Sequence, residues 1–117
     1  MSQLTAAQAV YTALTGNAAL MAKIEGVYDV VPEGTDGPYI ALGYQQSLRG
    51  RIINETERTW YYDLDIWSSY QGRKEVLEIA DLVRAALPSE WFYEELTVLK
   101  DPSGWYHGVL TIKGYDR

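Results

Sequence analysis

Asp63 and Asp65 stand two residues apart in TWYYDLDIW (59–67), a stretch whose aromatic and branched residues read as a strand. Alternation along a strand puts both carboxylates on one face, a spacing that acid–base pairs and metal sites use. His107, the sole histidine, is the natural proton shuttle to set beside them. Together these residues define the enzyme reading of the chain, a small hydrolase using Asp63, Asp65 and His107. Two aspartates are a weak signal, however, and a histidine flanked by Trp105 and Tyr106 more often packs or meets solvent than catalyses. A Ser-His-Asp triad is not excluded by sequence, yet no glycine-serine-glycine elbow supports one, and neither HExxH nor an EF-hand loop occurs. The sequence therefore nominates no catalytic residue, no metal site and no cofactor.

A second candidate is the junction LDIWSSYQGRKEVLEIADLVRAAL (64–87), a strand running through a glycine-containing loop into an amphipathic helix. Such junctions bind anions when free N–H groups and the helix dipole converge. Phosphate-cradling loops need several glycines or a glycine-lysine-threonine ending, and here Gly72 stands alone. The reading is a capped turn: Ser68 or Ser69 as N-cap, Gln71 or Gly72 in the first turn, and Glu75 near the positive end of the dipole.

These residues must be positioned by one domain, since 117 residues bury a core without staples and leave no room for a second. With no cysteine, disulfides and thiolate chemistry are excluded. The N-terminus MSQLTAAQAVYTAL lacks the basic residues of a signal peptide, and no apolar run is long enough for a membrane span, so no membrane partner is expected. Sixteen acidic against ten basic residues, a net charge of −6, argue against a general nucleic-acid binder. Ten tyrosines and four tryptophans against one phenylalanine favour rings with a polar handle, suited to strands and to surfaces buried on association.

Ser2 caps a first helix whose apolar face is Leu4, Ala7, Val10, Tyr11 and Leu14, with Gly16 ending it. Asn17 caps a second, carrying Ala18, Leu20, Met21 and Ile24 and stopped by Gly26. VYDVV (27–31) reads as a strand, PEGTDGP (32–38) as a turn cluster, and YIALGYQ as a second strand with Ile40, Leu42 and Tyr44 on one face. In the next strand Trp60, Tyr62, Leu64 and Ile66 oppose Tyr61, Asp63, Asp65 and Trp67. Between these strands, about 45–58 forms a polar hairpin arm holding Arg49, Arg51 and Arg58. Its few anchors, Leu48, Ile52 and Ile53, bury too little to offset ordering, so the arm is expected to be mobile until assembly. The main helix packs through Val76, Ile79, Ala80, Val83 and Leu87 and is stopped by Pro88. Strands at 92–100 and 105–115 flank DPSG, whose Asp101, Pro102 and Gly104 suit a type I turn. The expected fold is α+β: a largely antiparallel sheet of four to five strands, with the N-terminal helices and one crossover helix packed on one face.

Three segments, AVYTALTGNAALMAKIEGVYDVVPEGTDGPYIALG (9–43), LDIWSSYQGRKEVLEIADLVRAAL (64–87) and LKDPSGWYHGVLTIKGY (99–115), carry a resemblance covering nearly the whole chain. In this order they resemble the tail-completion, or tail-to-head joining, proteins of long-tailed bacteriophages and prophages, a tail-terminator-like family. VYDVVP, the strand ending in IWS, the glycine-led helix and the DP.G….HGVL hairpin are the more specific parts. The arm at 45–58 and WFYEEL (91–96) depart from it.

The resemblance implies a structural virion protein of the tail and neck, present in the host cytoplasm during assembly. It implies a subunit that forms a ring, commonly a hexamer, capping the tail tube and joining it to the head connector. Its partners would be other copies of itself, the tube protein and a head-completion or connector protein, with DNA passing through unbound. The alternative in the same setting is a head-completion protein one layer nearer the capsid. Ring closure needs two different patches on each subunit; the candidates are Tyr61, Asp63, Asp65 and Trp67 on one side and Arg49, Arg51 and Arg58 on the other. Asp63, Asp65, Glu94 and Glu95 are the candidates for the channel wall.

Overall fold

The computed structural model describes residues 2–49 and 58–116, in the order α1 (Gln3–Thr15), α2 (Ala18–Lys23), β1 (Val27–Tyr28), β2 (Tyr39–Arg49), β3 (Arg58–Ser68), α3 (Lys74–Ala86), β4 (Trp91–Lys100) and β5 (Tyr106–Asp116). One five-stranded sheet has the order β1-β2-β3-β5-β4. β1 runs parallel to β2 and every other pairing is antiparallel. This is the expected α+β class: α3 crosses from β3 to the far edge strand β4, and β5 then turns back between the two. Among the described residues no helix is long and apolar enough to cross a membrane.

Ser2 caps α1, its Oγ accepting the Thr5 N–H at 3.1 Å. The buried stripe is Ala6, Val10 and Leu14, a narrower seam than the sequence predicts. Leu4 is 68% and Tyr11 44% exposed because α1 lies at the rim of the helical layer, and its second apolar flank overhangs the sheet beside β2. Asn17 Oδ1 accepts the Leu20 N–H at 2.9 Å and caps α2. That helix ends at Lys23, before Gly26, where Ile24 turns extended to enter the core.

β1 is shorter than the predicted 27–31. Only Val27 and Tyr28 pair, opposite Ile40 and Ala41, before the chain leaves the edge through the turn cluster and Gly34 at φ +80. In β2 the predicted shared face of Ile40, Leu42 and Tyr44 breaks. The register jumps from Leu42↔Leu64 to Gln45↔Tyr62, a bulge that inserts one residue and inverts the alternation. Tyr44 is consequently 58% exposed. Pairing continues to Arg49↔Arg58, so 45–49, the first part of the expected arm, is ladder strand. Arg58 opens β3, and residues 50–57 of the arm, Arg51 among them, lie outside the described residues.

β3 and β5 pair without interruption from Arg58↔Asp116 to Ser68↔Tyr106. Trp60, Tyr62, Leu64 and Ile66 face inward as predicted, and with Leu110 and Ile112 they meet Val76, Ile79, Ala80 and Val83 of α3. Each aliphatic side chain buried there contributes on the order of 1.5–3 kcal/mol. Leu87 is the C-cap of α3, packed against the edge of this core. The hairpin β4–β5 turns as expected. The Gly104 N–H donates to the Asp101 carbonyl at 2.9 Å, Gly104 takes φ +96, and Asp101 Oδ2 accepts the Ser103 N–H at 3.0 Å. Hydrogen bonds from the Ser103 side chain and then its backbone hold the Asp101 carboxyl below its ordinary range.

Candidate functional site

The helices cover one face of the sheet, and the other face carries the chemistry-bearing residues. On its central strands Asp63, Asp65 and Trp67 of β3 stand opposite Thr111, Val109 and His107 of β5. His107 Nε2 lies 3.0 Å from Asp65 Oδ1, and its ring stacks on Trp67 at 3.9 Å with planes 7° apart. Thr111 Oγ1 donates to Asp63 Oδ1 at 2.7 Å. The two aspartates thus share a face as their spacing requires, but each is held by a different cross-strand partner. His107 and Asp65 do meet, as the hydrolase reading would need. Ser68, which follows this strand segment, is fully buried, donates to Glu75 Oε1 at 2.6 Å and accepts the Tyr70 N–H at 3.1 Å. It is therefore committed to the loop and supplies no nucleophile. Among the described residues no group of three or more His, Cys, Asp or Glu is arranged to hold a metal.

The same loop settles the role of Gly72. The N-cap of α3 is Arg73, with no side-chain cap bond, so neither Ser68 nor Ser69 caps the helix. Ser68 instead ties the loop to the first turn through Glu75, and Gly72 at φ +123 reverses the chain. Helix entry at Lys74 leaves Gln71 and Gly72 outside the first turn.

Further along the open face, Tyr61 stands opposite Lys113, whose Nζ sits 5.6 Å from the Tyr61 ring centre, 5.1 Å from that of Tyr115 and 3.9 Å from Glu94 Oε1. Hydrogen bonding to Tyr115 first, and to Tyr61, raises the Lys113 pKa despite partial desolvation. Phe92 packs edge-on against Tyr115 at 5.9 Å. Glu95 is in register with Thr111, and Glu94 sits at a β4 bulge between Tyr93 and Glu95. Asp63, Asp65, Glu94 and Glu95 therefore share one face, although they come from two strands more than twenty-five positions apart. Arg49 and Arg58 face each other across the ladder at its far end.

One feature lies outside every sequence expectation. A groove of about 730 Å³ runs between α1 and the sheet, walled by Leu4, Ala7 and Tyr11 and floored by Leu42, Gln45 and Tyr62. Tyr62 is only 6% exposed and packs against Trp91 with ring centres 5.5 Å apart and planes tilted by 59°, and its hydroxyl has no hydrogen-bond partner among the described residues. Burial raises its pKa. The periodicity of α1 assigned Leu4 and Tyr11 to the core, and the signal that could have revealed the groove is that α1 has more apolar positions than one seam can bury.

Solved structures of similar fold include these two. One is a chain in the virion of a native gene transfer agent particle, at 19% identity and a TM-score of 0.82, covering 92% of this chain and 91% of that one. The other is the gp17 protein of bacteriophage SPP1, at 20% identity and a TM-score of 0.64, covering 94% of this chain and 87% of that one. No curated protein matches the sequence. The family described as "Tail completion protein gp17" matches residues 8–114, which takes in every element above except the start of α1 and the end of β5. With an open face of locally paired side chains and a family match spanning the fold, the chain belongs to the tail completion protein gp17 family, structural and non-enzymatic components of the phage virion.

Proposed function

We propose that this chain assembles into a ring, a hexamer by the family resemblance, that caps the tail tube and joins it to the head. Its partners are further copies of itself, the tube protein and a head-completion or connector protein, and DNA passes through without being gripped. The observation that carries the reading is the open sheet face. Among the described residues no helix covers it, and it presents Asp63, Asp65, Glu94 and Glu95, while its Lys113 is held among Tyr61, Tyr115 and Glu94. With four carboxylates set against Lys113, a wall of this kind offers a sliding polyanion little to hold it. Arg49, Arg51 and Arg58 are then the candidates for pairing with carboxylates on neighbours.

Mixing the purified chain with tail tubes and imaging their ends tests the reading. A ring at one end of the tube, followed by attachment of DNA-filled heads, is the expected result. Binding to tail-less filled heads in preference to tubes would move the chain one layer toward the capsid. Duplex DNA binding at low and physiological salt tests the wall: tight binding that weakens steeply with salt refutes a non-adhesive channel.

A further inference from the structure

The sheet ends in two unlike edges. Among the described residues β4 pairs only with β5, so its other side is open from Phe92 to Lys100. On the opposite edge β1 covers β2 at Ile40 and Ala41, and among the described residues nothing pairs with the outer side of Leu42–Arg49. Rows of unpaired N–H and C=O groups are templates for another strand. From this we infer that β4 of one copy adds antiparallel to the open part of β2 in the next, an inference that rests on the ring reading above and specifies its joint.

Strand direction is the first reason. β2 and β5 both run against β3, and β4 runs against β5, so β4 runs with β3 and against β2. Copies related by rotation about an axis near the strand direction keep those senses, and β4 meets its neighbour's β2 antiparallel, the more stable pairing per residue. Because the two edges differ, the joint is heterologous and propagates around a ring.

Side-chain placement is the second. Tyr93 is in register with buried Ile112, which puts it on the helical side of the sheet, yet it is 38% exposed. The groove under α1 opens on that same side, next to the open part of β2. A β4 strand laid beside β2 brings Tyr93 toward Leu4 and Tyr11, covering apolar surface that each copy alone leaves wet. On the other side of the joint Phe92, in register with outward Lys113, comes to the flank that carries Leu48, opposite outward Thr59. Both halves of the joint, matched in direction and in face, belong to this one chain, which is why the occupant is a second copy. The consequence for the open face is definite: with edges joined and helices outside, Asp63 and Asp65 line the channel and do not touch a neighbour.

The absence of cysteine makes the joint directly testable. Outward positions on each edge, Gln46 or Leu48 with Phe92 or Glu95, are replaced by cysteine in pairs, and tails assembled with each variant are oxidised. A disulfide needs Cα atoms about 4.4–6.8 Å apart, so only strands paired at the joint will link. The expected result is a ladder of covalent multimers ending at the ring size from at least one pair, with single-cysteine controls staying monomeric. Tails that contain the chain but give no multimer from any pair, or dimers from a single cysteine, overturn the joint and leave the tail-capping reading standing. Absence of the chain from tails, with a folded reduced monomer by circular dichroism, overturns both. In the same assay Tyr93→Ser should raise the concentration needed for ring assembly by about tenfold, as expected when an interface anchor worth about 1.4 kcal/mol is lost; an unchanged requirement counts against the joint.

Discussion

Replacing Tyr62 by phenylalanine removes one oxygen from the floor of the groove and should make the free subunit more stable. The Tyr62 hydroxyl is buried without a partner among the described residues, whereas in the unfolded chain it is hydrated. Leaving such a group unpaired costs about 1–3 kcal/mol. The opposing term is the space left by the oxygen, roughly 10 Å³, which at about 24 cal/mol per Å³ is about 0.2 kcal/mol. Ring packing on Trp91 at 5.5 Å is retained in the variant. The unpaired hydroxyl dominates, and Tyr62→Phe should gain about 1–2 kcal/mol, a rise of roughly 3–10 °C in Tm for a domain of this size. A pH series separates this cause from a generic packing effect. Burial raises the Tyr62 pKa, so the folded chain keeps the phenolic proton above about pH 10 while the unfolded chain releases it. Wild-type stability is therefore complete below that pH and falls as pH rises toward the folded pKa. The variant lacks this loss, and Tyr39, also raised by burial, titrates in both proteins and cancels. Urea unfolding at neutral pH and above pH 10 should show a gap that widens with pH. A destabilised variant, or a gap that stays constant, would show that the hydroxyl is hydrogen-bonded and the accounting wrong.

Gly43→Ala should cost about 1–3 kcal/mol by overpacking, because a Cβ there collides with the Asp65 carboxylate; Asp65→Ala should relieve most of that penalty in a double-mutant cycle measured by urea unfolding. Ser68→Ala strands the Glu75 carboxylate and the Tyr70 N–H, and chemical denaturation should report a loss of about 1–3 kcal/mol. His107→Ala removes the stack on Trp67 and should lower stability by about 0.5–1.5 kcal/mol, yet still restore tail completion in a complementation assay; a folded variant with no infectivity would mean that His107 does more than pack.

Periodicity and turn chemistry were enough to place most of this fold. The inward set Trp60, Tyr62, Leu64 and Ile66, the α3 stripe through Val83 and the DPSG turn all follow from local rules, because each records which side of one element is apolar or which φ one residue tolerates. Local rules failed where a neighbour decides. Tyr44 turns outward because a bulge near Gly43 inverts β2, and the glycine is required by an aspartate more than twenty positions away. Ser68 left the helix cap for Glu75 because the strand ends before the helix begins.

For function, the sequence determined class and kinship: no cysteine, an acidic charge balance, no catalytic motif and three ordered segments resembling a tail-completion family. Only the tertiary structure decided which groups act together. Pairing β3 with β5 joins Asp65 to His107 and Asp63 to Thr111, contacts that span more than forty residues and leave no periodic trace. The groove under α1 and the two open edges likewise exist only after packing, since whether an apolar flank or a strand edge is covered depends on where other elements stop. Leu4 and Tyr11 have the same chemistry in either case, and it is the rim position of α1 that leaves them facing water.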